Sequence, residues 1–316
     1  MELFNPNANI PFMSWRRISI GISALLIVAS LTLVFTRGFN LALDFTGGTL
    51  VEVQSEQVLD TGKVREALVA GGFGTVAVQS IGGAKEVAMR LPPEEGSKPG
   101  DQEQKATAER VRQALAAAGM EVKIKRSEFV GPQVGKELAE DGAVAVVFVL
   151  LTIMLYVAFR FEWRFGLSGI AGEVHDIIIT LGFISLIGME FDLTVLAALL
   201  TVAGYSINDK VVVFDRVREI FRSARKLGAE ETINKAINNT LSRTLITGVT
   251  TFMALWSLYF LGGPVVENFA LTTIFGIVIG TFSSIFFCNP FLLWLGVSKS
   301  DLQVVKKEDP ALALRP

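Results

Sequence analysis

One histidine and one cysteine are all that this 316-residue chain holds of the two residue types that dominate transition-metal sites. His175 alone excludes a multi-histidine centre, and Cys288 alone excludes an internal disulfide or a cysteine-rich metal cage. Charge is also scarce. Asp, Glu, Lys and Arg make up 19% of the chain, below the usual quarter of a soluble domain. The net charge of −2 carries no basic excess of the kind that nucleic acid attracts. No G-x-x-x-x-G-K-[ST] run is present, which excludes a P-loop for ATP hydrolysis. What the chain has in abundance is apolar surface: 51% of residues are hydrophobic and the mean hydropathy is positive. That places it among membrane proteins.

A bilayer core needs about 20 apolar residues per helix. Six runs qualify: Ile18–Phe35, Gly142–Phe159, Phe165–Gly188, Leu193–Phe214, Leu241–Leu261 and Phe269–Leu295. Between the first two lies a polar segment, 36–141. It alternates "GGTLVEVQ" (strand), "DTGKVREALVAGGF" (helix), "TVAVQSIG" and "KEVAMRLP" (strands), "DQEQKATAERVRQALAAAG" (helix) and "MEVKIKRSEFV" (strand). The order predicts an α+β ferredoxin-like βαββαβ domain, its halves joined by the connector "PPEEGSKPGDQ".

Lys and Arg set an expected orientation. Arg16 and Arg17 precede the first span, and Arg160 and Arg164 flank the second turn. Arg216, Arg218, Arg222, Arg225, Lys226 and Lys235 lie in the segment 215–240; Lys299, Lys306 and Lys307 lie in the tail 296–316. The turns "GMEFD" and "GGPVVEN" carry no Lys or Arg. Both termini, including residues 1–17, are therefore expected in the cytoplasm and 36–141 outside. No small-residue cleavage pattern follows the first run, so it is expected to remain as an anchor.

An ionised side chain at the bilayer centre costs roughly 3 kcal/mol or more, so such residues are functional candidates. The third span carries Glu173, His175 and Asp176, the last about 18 Å in from Arg164 at 1.5 Å per residue. The fourth carries Asn208 and Asp209, with Asp209 about 9 Å inside Asp215. The fifth carries Arg243, which shares a helix face with Thr247 and Thr250. A carboxylate and an arginine that can pair and separate form a proton switch. The expected relay is Asp209 gated by Arg243, with Asp176, His175, Asn208 and Thr247 alongside and the proton as the only coupling species. A static Asp209–Arg243 pair pinning two helices is the structural alternative. His175 reads equally as a packed hydrogen-bonding residue or a relay, and Glu173 as a relay member or the lining of a wet cavity. Lys210 is expected to turn away from Asp209 and reach the cytoplasmic surface. Gly166, Gly169 and Gly172, and Gly276 and Gly280, mark faces for close helix packing.

Two hydrolytic readings are also open: a serine protease recruiting Ser206 and His175, and an aspartyl protease with Asp176 facing Asp209. Outside the membrane, Asp44 is expected to cap the turn "DFTGG", where Gly47 and Gly48 permit a tight backbone path. Gly131 and Pro132 are expected to form the hinge re-entering the membrane.

Taken in order, "RGFNLALDFTGGTLVEV", "EFVGPQVGKEL", "YVAFRFEWRFG", "HDIIITLG", "GYSINDKVVVFDRVRE", "LSRTLITGVTT" and "LGGPVVENFALTTIFGIVIGT" resemble the SecF branch of the SecD/SecF family of protein-export membrane proteins. The resemblance covers nearly the whole chain. It implies half of a pseudo-symmetric transporter of the resistance-nodulation-division superfamily, with SecD supplying the other six helices. It further implies a non-enzymatic subunit of the bacterial inner membrane that works with the SecYEG channel, SecA and YajC on unfolded preprotein. It uses the proton gradient, has lipid around it, and needs no cofactor and no nucleic acid. In the family, the positions of Asp209 and Arg243 carry proton-coupled motion, and the external domain swings as protons pass. Two residues depart from the family pattern: Lys210, where a small hydroxyl residue is usual, and Glu173, where a small or apolar one is. A proton-driven half-pump for a lipid or small molecule is the competing function, disfavoured by the small external domain.

Overall fold

The computed structural model describes residues 9–298, apart from 75, 82, 93–100 and 224–226. Most of the expected connector, Arg225, Lys226, Lys299, Lys306 and Lys307 lie outside the described residues. A 3-10 turn, Phe12–Trp15, leads into α1 (Arg16–Arg37). There follow β1 (Asn40–Leu41), α2 (Leu43–Thr46), β2 (Gly48–Gln54), α3 (Thr61–Ala70), β3 (Ala77–Ser80), β4 (Glu86–Leu91), α4 (Asp101–Ala117) and β5 (Lys123–Val130). Then come α5 (Pro132–Arg160), α6 (Trp163–Ile187), β6 (Glu190–Phe191), α7 (Leu193–Ser223), α8 (Ala229–Leu261) and α9 (Pro264–Ser283). One π-helical turn, Ser284–Cys288, joins α9 to α10 (Asn289–Trp294).

The chain divides into two compact units. One, 39–147 with 188–196, contains the α+β domain. Its four-stranded sheet has the order β3-β4-β2-β5, antiparallel throughout, as a βαββαβ chain requires. Alternation decides which side chains go inward. Val51, Val53, Val87, Met89 and Leu91 point to α3 and α4 and meet Val64, Leu68, Val111 and Leu115 in one buried cluster. Asp60 starts α3, its Oδ1 accepting from the amides of Gly62 at 2.7 Å and Lys63 at 3.2 Å. The turn "GMEFD" contains more than a turn: β6 pairs in parallel with β1, Asn40 opposite Glu190 and Leu41 opposite Phe191.

The "DFTGG" stretch lies in the same unit. Gly47 and Gly48 have φ of +67° and +121°, which side chains of L-residues rarely adopt. Space is short there too. A Cβ on Gly47 would lie 2.9 Å from Pro132 Cα, and one on Gly48 would strike the carbonyl oxygen of Leu91. Asp44 does not cap its own turn as expected. Backbone bonds close that turn, the Gly47 amide donating to Leu43 O at 2.9 Å. The carboxylate is thereby left to accept from the amide of Leu193 at 3.0 Å, one of the orphan donors at the start of α7. Asp192 takes a second, from Val195 at 2.7 Å. Gly131 precedes α5 and Pro132 occupies its first position, where the missing proline N–H is no loss. From there to Arg160 the helix is continuous.

The other unit, 1–38 with 148–187 and 197–316, holds most of the apolar helix. Six helical stretches of the chain are long and apolar enough to cross a membrane. About half of the apolar window of α6, of α7 and of the last span is buried, against few residues of the other three spans. α7 and α8 run well beyond the apolar runs that announce them, so much of 215–240 is helix. The reason is patterning: Val217, Ile220 and Phe221, then Ile233, Ala236 and Ile237, recur at helical spacing and bury together with Phe12, Met13, Phe161, Phe165 and Phe214. Close approach of the inner helices depends on absent side chains. A Cβ on Gly276 would strike Val202, and one on Gly280 would lie 2.6 Å from Ser206 Oγ.

Candidate functional site

The inner helices enclose a cluster of charged and hydroxyl groups. Lys210, on α7, is fully buried, as is Asp176 on α6; Glu173 is 2% exposed. Lys210 Nζ donates to Asp176 Oδ2 at 2.7 Å, to Ser206 Oγ at 2.6 Å and to Glu173 Oε2 at 3.2 Å. Asp176 Oδ2 also accepts from Ser206 Oγ at 2.5 Å and from Ser283 Oγ, on α9, at 2.8 Å. Its other oxygen, Oδ1, lies 2.8 Å from His175 Nδ1, so the imidazole donates there. The ring stacks on Phe287 of the π-helical turn at 4.4 Å. Residues of α6, α7 and α9 therefore converge on a single carboxylate.

Local sequence explains the convergence. On α7, Val202, Ser206, Lys210, Val213 and Val217 form one buried stripe at spacings of four and three. On α6, Glu173 and Asp176 are three apart and share a face. Gly172 provides the room: a Cβ there would strike Cys288 Sγ and come within 2.8 Å of Lys210 Cε. The π-turn leaves carbonyls outside the regular ladder, and side chains take them up. Ser168 Oγ donates to Cys288 O at 2.6 Å and Asn289 Nδ2 to Ser284 O at 2.5 Å.

This corrects the expectation for Lys210. It does not reach the surface but is the centre of the cluster, because two carboxylates on α6 compensate the burial of its charge. The two residues that depart from the family pattern, Lys210 and Glu173, are partners in an ion pair. Ser206, Ser283 and Thr281 were given no part in the relay from sequence, although Ser206 and Lys210 lie four apart on the stripe.

The other relay candidates are placed differently. Asp209 is 3% exposed and takes a side-chain hydrogen bond from Thr281 of α9. Arg243 is exposed on α8 and makes no ion pair with Asp209; its charge acts there through space. Asn208 is also exposed, and Thr247 Oγ1 donates back to Arg243 O at 3.0 Å. The structure thus joins Asp176 and His175 in one cluster and leaves Asp209, Asn208, Arg243 and Thr247 outside its hydrogen bonds. The arrangement also bears on hydrolysis. Ser206 bonds to Lys210 and Asp176, while His175 is turned to the opposite oxygen of Asp176. Asp176 and Asp209 have no hydrogen-bond partner in common.

A multi-pass membrane protein of six spanning helices, with a ferredoxin-like domain inserted after the first and a charge cluster among the inner helices, is the class defined here. A family model described as "Protein export membrane protein SecD/SecF, C-terminal" matches residues 110–298, and one described as "SecD/SecF GG Motif" matches residues 32–57. Protein translocase subunit SecF of Pseudomonas aeruginosa is 44% identical over 295 residues, covering 93% of this chain and 94% of that one. The subunit of the same name from Escherichia coli O157:H7 is 42% identical over 299 residues, covering 94% and 92%. The chain belongs to the SecD/SecF family, within its SecF branch. Among solved structures, SecDF from Thermus thermophilus, described as a translocon-associated membrane protein, superposes with a TM-score of 0.83 at 36% identity. The match covers 93% of this chain and 40% of that one, so the chain spans about two fifths of the SecDF polypeptide.

Proposed function

We propose that the chain is the SecF subunit of a SecDF-type complex and assists preprotein translocation through SecYEG and SecA, driven by the proton gradient. SecD is its membrane partner, and YajC joins through the complex. The subunit sits in the bacterial inner membrane with both termini in the cytoplasm and 36–141 in the periplasm. Its role is non-enzymatic, and the proton is the coupling ion.

One observation supports the proton reading above the rest. Among the described residues, Asp209 is the one buried carboxylate of the membrane helices without an ion pair; Glu173 and Asp176 are both held by Lys210. A proton carrier needs a carboxylate that no permanent counter-charge pins in one state, and Asp209 fits that requirement. Arg243, exposed and near enough to act through space, is the charge whose approach would gate it.

The test is preprotein export in cells depleted of their native subunit. Wild-type chain restores export only while a proton gradient is present, and Asp209→Asn does not restore it. Equal rescue by the two chains would make Asp209 structural and end the proton reading at this residue.

A further inference from the structure

The surroundings of Lys210 Nζ are a cation site in chemical terms. Two carboxylates and a hydroxyl provide its oxygens, at 2.6, 2.7 and 3.2 Å, and a second hydroxyl, from Ser283, braces the nearer carboxylate. Carboxylate and hydroxyl oxygens are the donors that hard cations choose. The site is not saturated by the ammonium. Glu173 Oε1 and His175 Nε2, both buried, have no hydrogen-bond partner, so an oxygen of the same glutamate that binds Lys210 stays available. The contacts of 2.6–3.2 Å spread beyond the 2.3–2.6 Å at which calcium is held, which favours a larger ion of lower charge. A monovalent ion would also leave the charge balance of the cluster as Lys210 sets it.

We propose that Lys210 is a tethered cation occupying an alkali-metal site, and that removing its ammonium opens this site to free Na⁺ or K⁺. In the native chain the covalent tether keeps the cluster loaded, so it exchanges no ion with solution. This assignment does not depend on the export function.

The experiment uses the full chain purified in detergent, with Lys210→Ser to open the site and Lys210→Met to remove the charge while filling the space. Thermal unfolding is followed in choline chloride, NaCl and KCl at one ionic strength. Lys210→Ser melts lowest in choline and rises saturably with Na⁺ or K⁺, while wild type and Lys210→Met melt alike in all three salts. Adding Asp176→Asn to Lys210→Ser abolishes the rise. Recovery of folded Lys210→Ser only from alkali-metal buffers would equally support the assignment. Identical melting of Lys210→Ser in choline, Na⁺ and K⁺ overturns it, as does failure of that variant to fold in every salt while Lys210→Met folds.

Discussion

Asp44 and Leu193 stand 149 residues apart in the chain and one 3.0 Å hydrogen bond apart in space. The aspartate of the "DFTGG" stretch is a remote cap, answering an amide that α7 cannot satisfy from within. Replacing a capping aspartate by alanine costs about 1 kcal/mol. Asp44→Ala should therefore lower stability by that amount and speed amide exchange in the first turn of α7, while Asp44→Asn, which keeps an acceptor, should retain most of it. Exchange unchanged at Leu193 in the alanine variant would show the bond to be dispensable.

Lys210 holds two buried carboxylates, so truncating it leaves them uncompensated. Breaking a buried ion pair from one side costs roughly 3–5 kcal/mol. Lys210→Met should fall in that range by thermal or denaturant unfolding. Glu173→Gln introduced into Lys210→Met should return part of the loss, since it removes one stranded charge. A strictly additive double variant would mean that Glu173 and Lys210 do not couple.

Two neighbouring glycines of α6 make opposite forecasts. A Cβ on Gly172 collides with Cys288 Sγ and approaches Lys210 Cε, whereas one on Gly169 meets Val157 at 3.4 Å, an ordinary contact. Overpacking of a tight interior costs about 1–3 kcal/mol. Gly172→Ala should show a penalty of that size and Gly169→Ala little or none. Reversal of the two in side-by-side melting curves would refute the packing account.

Glu190, beside the β1–β6 pair, is ion-paired with Arg90 yet largely buried. Burial outweighs the arginine and holds its carboxyl above the usual glutamate range. The folded state then binds this proton more tightly than the unfolded state. Stability from this residue is present below the ordinary value of 4.5 and is lost as pH rises through the folded value. Glu190→Gln should flatten that decline, measured as unfolding free energy against pH. A decline of unchanged slope would assign it to other groups.

Long, periodic features were legible in the sequence. The six apolar runs and the βαββαβ order follow from periods of 3.6 and 2 repeated over many residues. β1, β6 and α2 were not, because two to four residues carry no period and exist through partners far along the chain. Lys210 was misjudged for a related reason. A lysine near the end of an isolated membrane helix gains by reaching water, and only α6, with Glu173 and Asp176 on the facing side, reverses that preference. The stripe Val202–Ser206–Lys210–Val213 was nevertheless visible, and it marked Lys210 as inward. Asp209 and Arg243 were both legible as unusual charges, but their separation in space was not, since helical spacing fixes faces on one helix and not distances to the next.

The π-turn Ser284–Cys288 makes the last span sensitive to residue count in a way its composition hides. A π-turn accommodates one residue more than regular α-helix would. Deleting any one of those five would let the helix run straight and turn everything beyond by about 100°. Phe287 would leave the face of His175, and Cys288 the hollow of Gly172. Length, hydropathy and membrane insertion would pass almost unaltered, yet the far wall of the charge cluster would be dismantled. Along this helix, arithmetic is a stricter constraint than chemistry: conservative exchanges are tolerable where a single omission is not.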